Sequence, residues 1–160
     1  MLSLHNINSD MKQLLMLKEK IAIFEGLKEE DIVSIVDEVK ILQYDKGDII
    51  IHEGSKNSKE IYVLLRGAIE VKKINSISDR TLAKMEDKGV FGEISALTDY
   101  PRSATIVSSK NDTVIISFSI KDNDDEGRAL FYRNIISELS GKILMLNGDK
   151  IDKSSLWELW

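Results

Sequence analysis

Cysteine is absent from the 160-residue chain, which excludes disulfides, thiolate zinc sites and iron–sulfur clusters. Histidine occurs only at His5 and His52. A metal-dependent jelly-roll enzyme needs several histidines and a carboxylate converging on one ion, so no metal is expected. His52, in IIHEGS, reads instead as a strand-end residue at a turn. No Ser–His–Asp arrangement and no phosphate-binding P-loop is present, and catalysis is not expected. Long apolar runs are also missing. The longest near the N-terminus, Leu14 to Leu17, is too short for a signal-peptide core or a membrane span, which points to a cytoplasmic protein without a membrane role. The net charge of −5 gives no electrostatic reason to expect nucleic acid as a partner.

What is present describes a folded domain: 42% hydrophobic and 31% charged residues, in a chain long enough to bury a core. Residues 1–10 read as a frayed end. Met11, Leu14, Leu15 and Ile21 recur mostly at helical spacing, which predicts a helix stopping near Gly26. Residues 30–40, EDIVSIVDEVK, predict a second amphipathic helix with Ile32, Ile35, Val36 and Val39 on one face. Short β-branched runs follow at 41–44, 48–51, 60–65, 68–71, 81–85, 104–107 and 113–118, with Gly47, Gly54, Gly67 and Gly89 between them. Such spacing indicates a sandwich or roll of antiparallel sheet. After Asp122 the period becomes helical again, with an apolar stripe of Phe131, Ile135, Leu139, Ile143 and Leu146. The predicted order is helices, β-roll, helices, divided as a tail and helix over 1–22, the main domain over 23–150 and a tail over 151–160.

One stretch of the β region stands apart: FGEISALTDYPRSATI, residues 91–106. Gly92–Glu93 opens a short apolar turn, Ile94 to Leu97, which Pro101 limits because the residue before a proline avoids the helical region. A helix starting at Gly92 would present unpaired N–H groups and the positive end of a dipole. Arg102 adds a planar cationic fork and Ser103 a hydroxyl. These donors suit an anion, most naturally a phosphate. Glu93 would repel a bare phosphate but would accept from a hydroxyl on the same ligand. A ribose carrying a cyclic 3′,5′-phosphate has that layout, with one negative charge and a free 2′-OH. A Glu93–Arg102 salt bridge with no ligand is the structural alternative.

The stretch resembles the phosphate-binding cassette of cyclic nucleotide-binding domains, as in catabolite activator proteins and the regulatory subunits of cAMP-dependent protein kinase. Phe91-Gly92-Glu93 and Pro101-Arg102-Ser103-Ala104-Thr105-Ile106 match the family pattern, and Gly47 and Gly67 sit at family turn positions. The resemblance runs from about Ile23 to Asn147. It implies an eight-stranded antiparallel β-roll with flanking helices, and cAMP, or cGMP, as ligand. It further implies that Glu93 takes the ribose 2′-OH and that Arg102 takes the exocyclic phosphate oxygens, with Gly92 and Ser103 adding contacts around the phosphate. Val71 and Leu82 match apolar positions lining the pocket and read as core residues besides. Leu146 and Asn147 lie near where the family contacts the base.

Bacterial relatives often continue into a helix-turn-helix. The residues after Lys150, IDKSSLWELW, are too few for one, so the sequence reads as a free-standing sensor signalling to a partner protein. Its closing helix either pairs with its twin in a homodimer or packs back on the roll. Trp157 and Trp160 would share one face of a helix, as a contact anchor or as a cover for the roll. The alternatives in function are an interaction scaffold of the same fold without ligand, and a transcription-regulator relative lacking its DNA-binding domain.

Overall fold

Asn8 acts as a helix cap: its side-chain oxygen accepts from the Met11 amide at 2.8 Å, and α1 runs over Ser9–Leu17. The computed structural model describes residues 7–56, 58–74, 77, 79–86, 88–122 and 127–146. Of the frayed end predicted over 1–10, Asn8 to Asp10 instead cap and open α1, and residues 1–6 lie outside the described residues. The helix predicted to reach Gly26 is broken, continuing as two 3-10 turns, Lys18–Lys20 and Ala22–Phe24. α2 covers only Glu29–Ile35, with the Asp31 carboxylate accepting from the Lys28 amide at its start.

The prediction of helix through residue 40 is wrong, because β1 occupies Val36–Tyr44. Its pairing with β8 (Thr113–Ile120) carries a register shift between Val36 and Val39. A bulge adds one residue to the two-residue repeat, so two inward side chains stand three apart. Together with Ile32 and Ile35 they imitate a helical face.

The remaining strands are β2 (Ile49–Ile51), β3 (Ile61–Arg66), β4 (Ala68–Ile74), β5 (Asp79–Glu86), β6 (Val90–Phe91) and β7 (Thr105–Ser108). α3 (Glu93–Leu97) lies between β6 and β7, and α4 (Arg128–Leu146) closes the domain. Two antiparallel four-stranded sheets form, ordered β1-β8-β3-β6 and β2-β7-β4-β5. This is the β-roll with flanking helices expected from the sequence. Ile51, Leu64, Ile69, Phe91, Ile106 and Ile115 fill the space between the sheets. The other face of the first sheet is covered by the helices through Val63, Val90, Ile116 and Phe118. β8 is thus buried on both faces, which explains why TVIISF is apolar without alternation.

Phe24 joins the helical layer together, with ring centroids 5.5 Å from Phe118 and 6.0 Å from Phe131. The closing stripe divides. Phe131 and Ile135 are fully buried and Leu139 packs on the same cluster, whereas Ile143 is exposed. Trp157 and Trp160 lie outside the described residues.

Candidate functional site

β6 ends at Phe91, and the chain has one residue in which to turn before α3. Gly92 makes the turn with φ +79°, a left-handed conformation that side chains rarely adopt. A Cβ there would also stand 2.7 Å from Arg102 Nη1 and 2.9 Å from Tyr62 Cδ2. The missing side chain lets the guanidinium approach the backbone, and Nη1 donates to the Gly92 carbonyl at 2.6 Å.

Arg102 is only 4% exposed. Its backbone is fixed to the turn after β2: the Arg102 amide donates to Ser55 at 2.9 Å and its carbonyl accepts from Gly54 at 2.8 Å. Nη2 donates to the Glu60 carbonyl at 2.8 Å and to the Ser58 hydroxyl. The guanidinium carbon lies 5.5 Å from the centroid of the Tyr62 ring, which stacks on Phe91 at 5.2 Å. The carboxylate paired with it is distant, with Glu60 Oε2 at 3.9 Å. Three of the five guanidinium N–H groups are used, leaving two without a partner among the described residues.

Glu60 is itself shaped by this cluster. The hydrogen bond from Ser58 holds its carboxyl below the usual 4.5, aided by Arg102 and opposed by burial. Burial pushes the Tyr62 phenol up. Since the folded value of Glu60 lies below the unfolded one, its contribution to stability is present above the ordinary carboxylate range. It is lost as pH falls through the folded value. Glu60→Gln should therefore flatten the acid limb of a plot of urea midpoint against pH; an unchanged limb would show that Glu60 is not held this way.

Glu93 begins α3 and is 3% exposed. It does not pair with Arg102. Lys142 Nζ, on α4, donates to Glu93 Oε1 at 2.5 Å and to the Val90 carbonyl at 2.5 Å. Ser103 is exposed, and its carbonyl accepts from Lys73 Nζ at 2.6 Å. No metal-holding group of acidic, histidine or cysteine side chains occurs among the described residues. No helix among them is long and apolar enough to cross a membrane.

A family model described as "Cyclic nucleotide-binding domain" matches residues 41–125, just over half of the chain. The chain belongs to that family. Cyclic nucleotide-binding domains are regulatory rather than catalytic. Human cGMP-dependent protein kinase 2 is 33% identical over 98 residues, covering 60% of this chain and 13% of the kinase. The cAMP-dependent protein kinase regulatory subunit of Mycosarcoma maydis is 27% identical over 89 residues, 56% of this chain and 17% of that protein. The chain thus spans under a fifth of the length of either relative. In structure it is similar to the catabolite activator protein of Thermus thermophilus, with a TM-score of 0.62 and 22% identity over 79% of this chain and 60% of that one.

Within this cyclic nucleotide-binding domain Arg102 meets Gly92 at the start of α3, which Glu93 opens, while Ser103 lies exposed beside Lys73. Val71 is partly buried on β4 and pairs with Ile106 on β7. Leu82 is not a core residue, contrary to expectation, being 42% exposed. It is the extra residue of a register shift in which Val71 opposes Ala83 and Lys72 opposes Thr81, on the edge strand β5. Leu146 ends α4, and Asn147 lies outside the described residues. Ser58, Glu60, Tyr62 and Lys142 were not singled out by sequence. Tyr62 and Glu60 lie at the start of a strand whose pattern reads simply as core. Lys142, three residues after Leu139, stands as a charged residue on the same face as the apolar stripe of its helix, the one signal that could have found it.

Proposed function

We propose that this domain binds a cyclic 3′,5′-purine mononucleotide at the cassette, with cAMP preferred over cGMP, and regulates a partner protein through that occupancy. The observation that carries the reading is Arg102. A guanidinium this buried, whose paired carboxylate is 3.9 Å away, keeps a positive charge only loosely compensated inside the fold. Buried charges are costly unless matched, and a phosphate would supply the match. The two uncommitted N–H groups of Arg102 would donate to the exocyclic oxygens, with Gly92 and Ser103 beside them. Glu93 would accept from the ribose 2′-OH.

The relatives named above include both a cGMP-dependent and a cAMP-dependent kinase protein and so support the ligand class rather than the base. The preference for cAMP rests on Ser103, whose exposed side chain lacks the rotamer-restricting methyl of threonine. Cytoplasmic signalling through an effector protein, without nucleic acid or membrane, and a homodimer through α4 complete the proposal. Ile136 and Ile143, seven residues apart and 60% and 58% exposed, favour the dimer.

Competition of cAMP, cGMP and 2′-deoxy-cAMP against a fluorescent analogue tests the site. The wild type should hold cAMP most tightly, and Ser103→Thr should move the balance towards cGMP. Glu93→Gln should weaken cAMP by about 1.5–3 kcal/mol and shrink its advantage over the 2′-deoxy ligand. Equal affinity of the wild type for both sugars would remove Glu93 from the ribose role. Binding of no nucleotide at millimolar concentration would leave the interaction scaffold as the function.

A further inference from the structure

Glu93 is only 3% exposed, and the proposed ribose contact needs one of its oxygens turned towards the ligand. A carboxylate so buried needs polar partners that fix its position. Arg102, the obvious candidate in the cassette, is committed to Gly92, Ser58 and Glu60 instead. The cation paired with Glu93 among the described residues is Lys142, which arrives from α4, outside the cassette. Its Nζ takes Oε1 and leaves Oε2 without a hydrogen-bond partner among the described residues. The same ammonium holds the carbonyl of Val90 in β6, the strand leading directly into Gly92. One side chain therefore fixes both the approach to the cassette and the carboxylate that opens its helix.

We infer that Lys142 is a positioning residue of the nucleotide site, which holds Glu93 in the orientation in which Oε2 receives the ribose hydroxyl. This rests on the proposed binding of a cyclic mononucleotide. It makes discrimination of the sugar a joint property of the cassette and the closing helix. Lys142 remains in place when the ligand is bound, because the two oxygens of Glu93 serve two donors at once. The opposite arrangement, in which the hydroxyl displaces Lys142, would make the lysine a competitor of the ligand.

Calorimetric titration with cAMP and with 2′-deoxy-cAMP distinguishes these arrangements. Lys142→Met should weaken cAMP about tenfold while changing 2′-deoxy-cAMP little, so the ratio between the sugars falls. Lys142→Arg should restore the ratio, since it keeps the cation on α4. Lys142→Met added to Glu93→Gln should cost nothing further, because the carboxylate it positions is gone. A structural role in α4 alone would lower the melting temperature and leave the sugar ratio intact, and that result overturns the inference. Tighter cAMP binding by Lys142→Met overturns it as well. A wild-type protein that binds neither ligand removes the nucleotide reading itself and this inference with it. Wild-type binding with an unchanged ratio in Lys142→Met removes only the role of the lysine.

Discussion

Replacing Arg102 by alanine is expected to weaken cAMP binding by about 2–5 kcal/mol, roughly 30-fold to several thousand-fold in Kd. The loss has two sources. A desolvated phosphate would lose its charged partner, and the acceptors now held by the guanidinium would be left behind: the carbonyls of Gly92 and Glu60 and the hydroxyl of Ser58. Those orphaned acceptors also predict some loss of stability, so binding is to be measured by calorimetry well below the melting temperature of the variant. Arg102→Lys should bind poorly too, since a single ammonium cannot reach Gly92, Glu60 and a phosphate from one position. The backbone bonds to Ser55 and Gly54 do not involve the side chain, so the loop should keep its course in both variants. Wild-type affinity in Arg102→Ala would place the phosphate elsewhere.

The largest expected effect on stability comes from Gly67→Ala, about 2–4 kcal/mol. Gly67 is the single residue between β3 and β4, with φ +97°. An alanine in the left-handed region costs about 1–2 kcal/mol for conformation alone. Its Cβ would also stand 2.8 Å from the Cα and 2.9 Å from the Cβ of Thr113, the fully buried first residue of β8. Backbone cannot rotate aside as a side-chain end can, and overpacking of this kind adds about 1–3 kcal/mol. Gly47 supplies the control. It has the same φ of +97° but nothing within 4 Å of its absent side chain, so Gly47→Ala should show only the conformational part. For a domain of this size the Gly67 variant should melt roughly 4–16 °C below the wild type. Equal shifts for the two alanines would mean that the strands accommodate the methyl group.

The roll was legible in the sequence because most of its strands are β-branched runs separated by glycines that the turns require. The cassette was legible because its residues are close together in the chain and each has a distinct chemistry. What escaped is instructive. Val36 and Val39 imitate a helix only because a bulge displaces one of them. β6 is two residues long and pairs with β3 only through Tyr62 and Val63, too short to leave a periodic signal. Leu82 is apolar yet stands out at a bulge on an edge strand, where hydrophobicity is a poor guide to burial. The supports of the site are the least legible. Ser58 and Glu60 meet Arg102 from another turn with no local pattern to mark them, and Lys142 meets Glu93 from the last helix, marked only as a charge on an otherwise apolar face.

The aromatic joint of the helical layer bears on how the chain is made. Phe24 lies before the roll, Phe118 at its end and Phe131 in the closing helix, and the Phe24 ring is tilted against the first and stacked on the second. Asn134 reinforces the joint by donating to the carbonyls of Ile23 and Glu25 across more than a hundred residues of sequence. During synthesis, therefore, the side of Phe24 that Phe131 covers stays open until α4 has emerged from the ribosome. Contacts of such long sequence separation are slow to close. The nascent roll must wait through that interval with apolar surface exposed, and a ribosome stalled before residue 131 would hold a joint lacking its third ring.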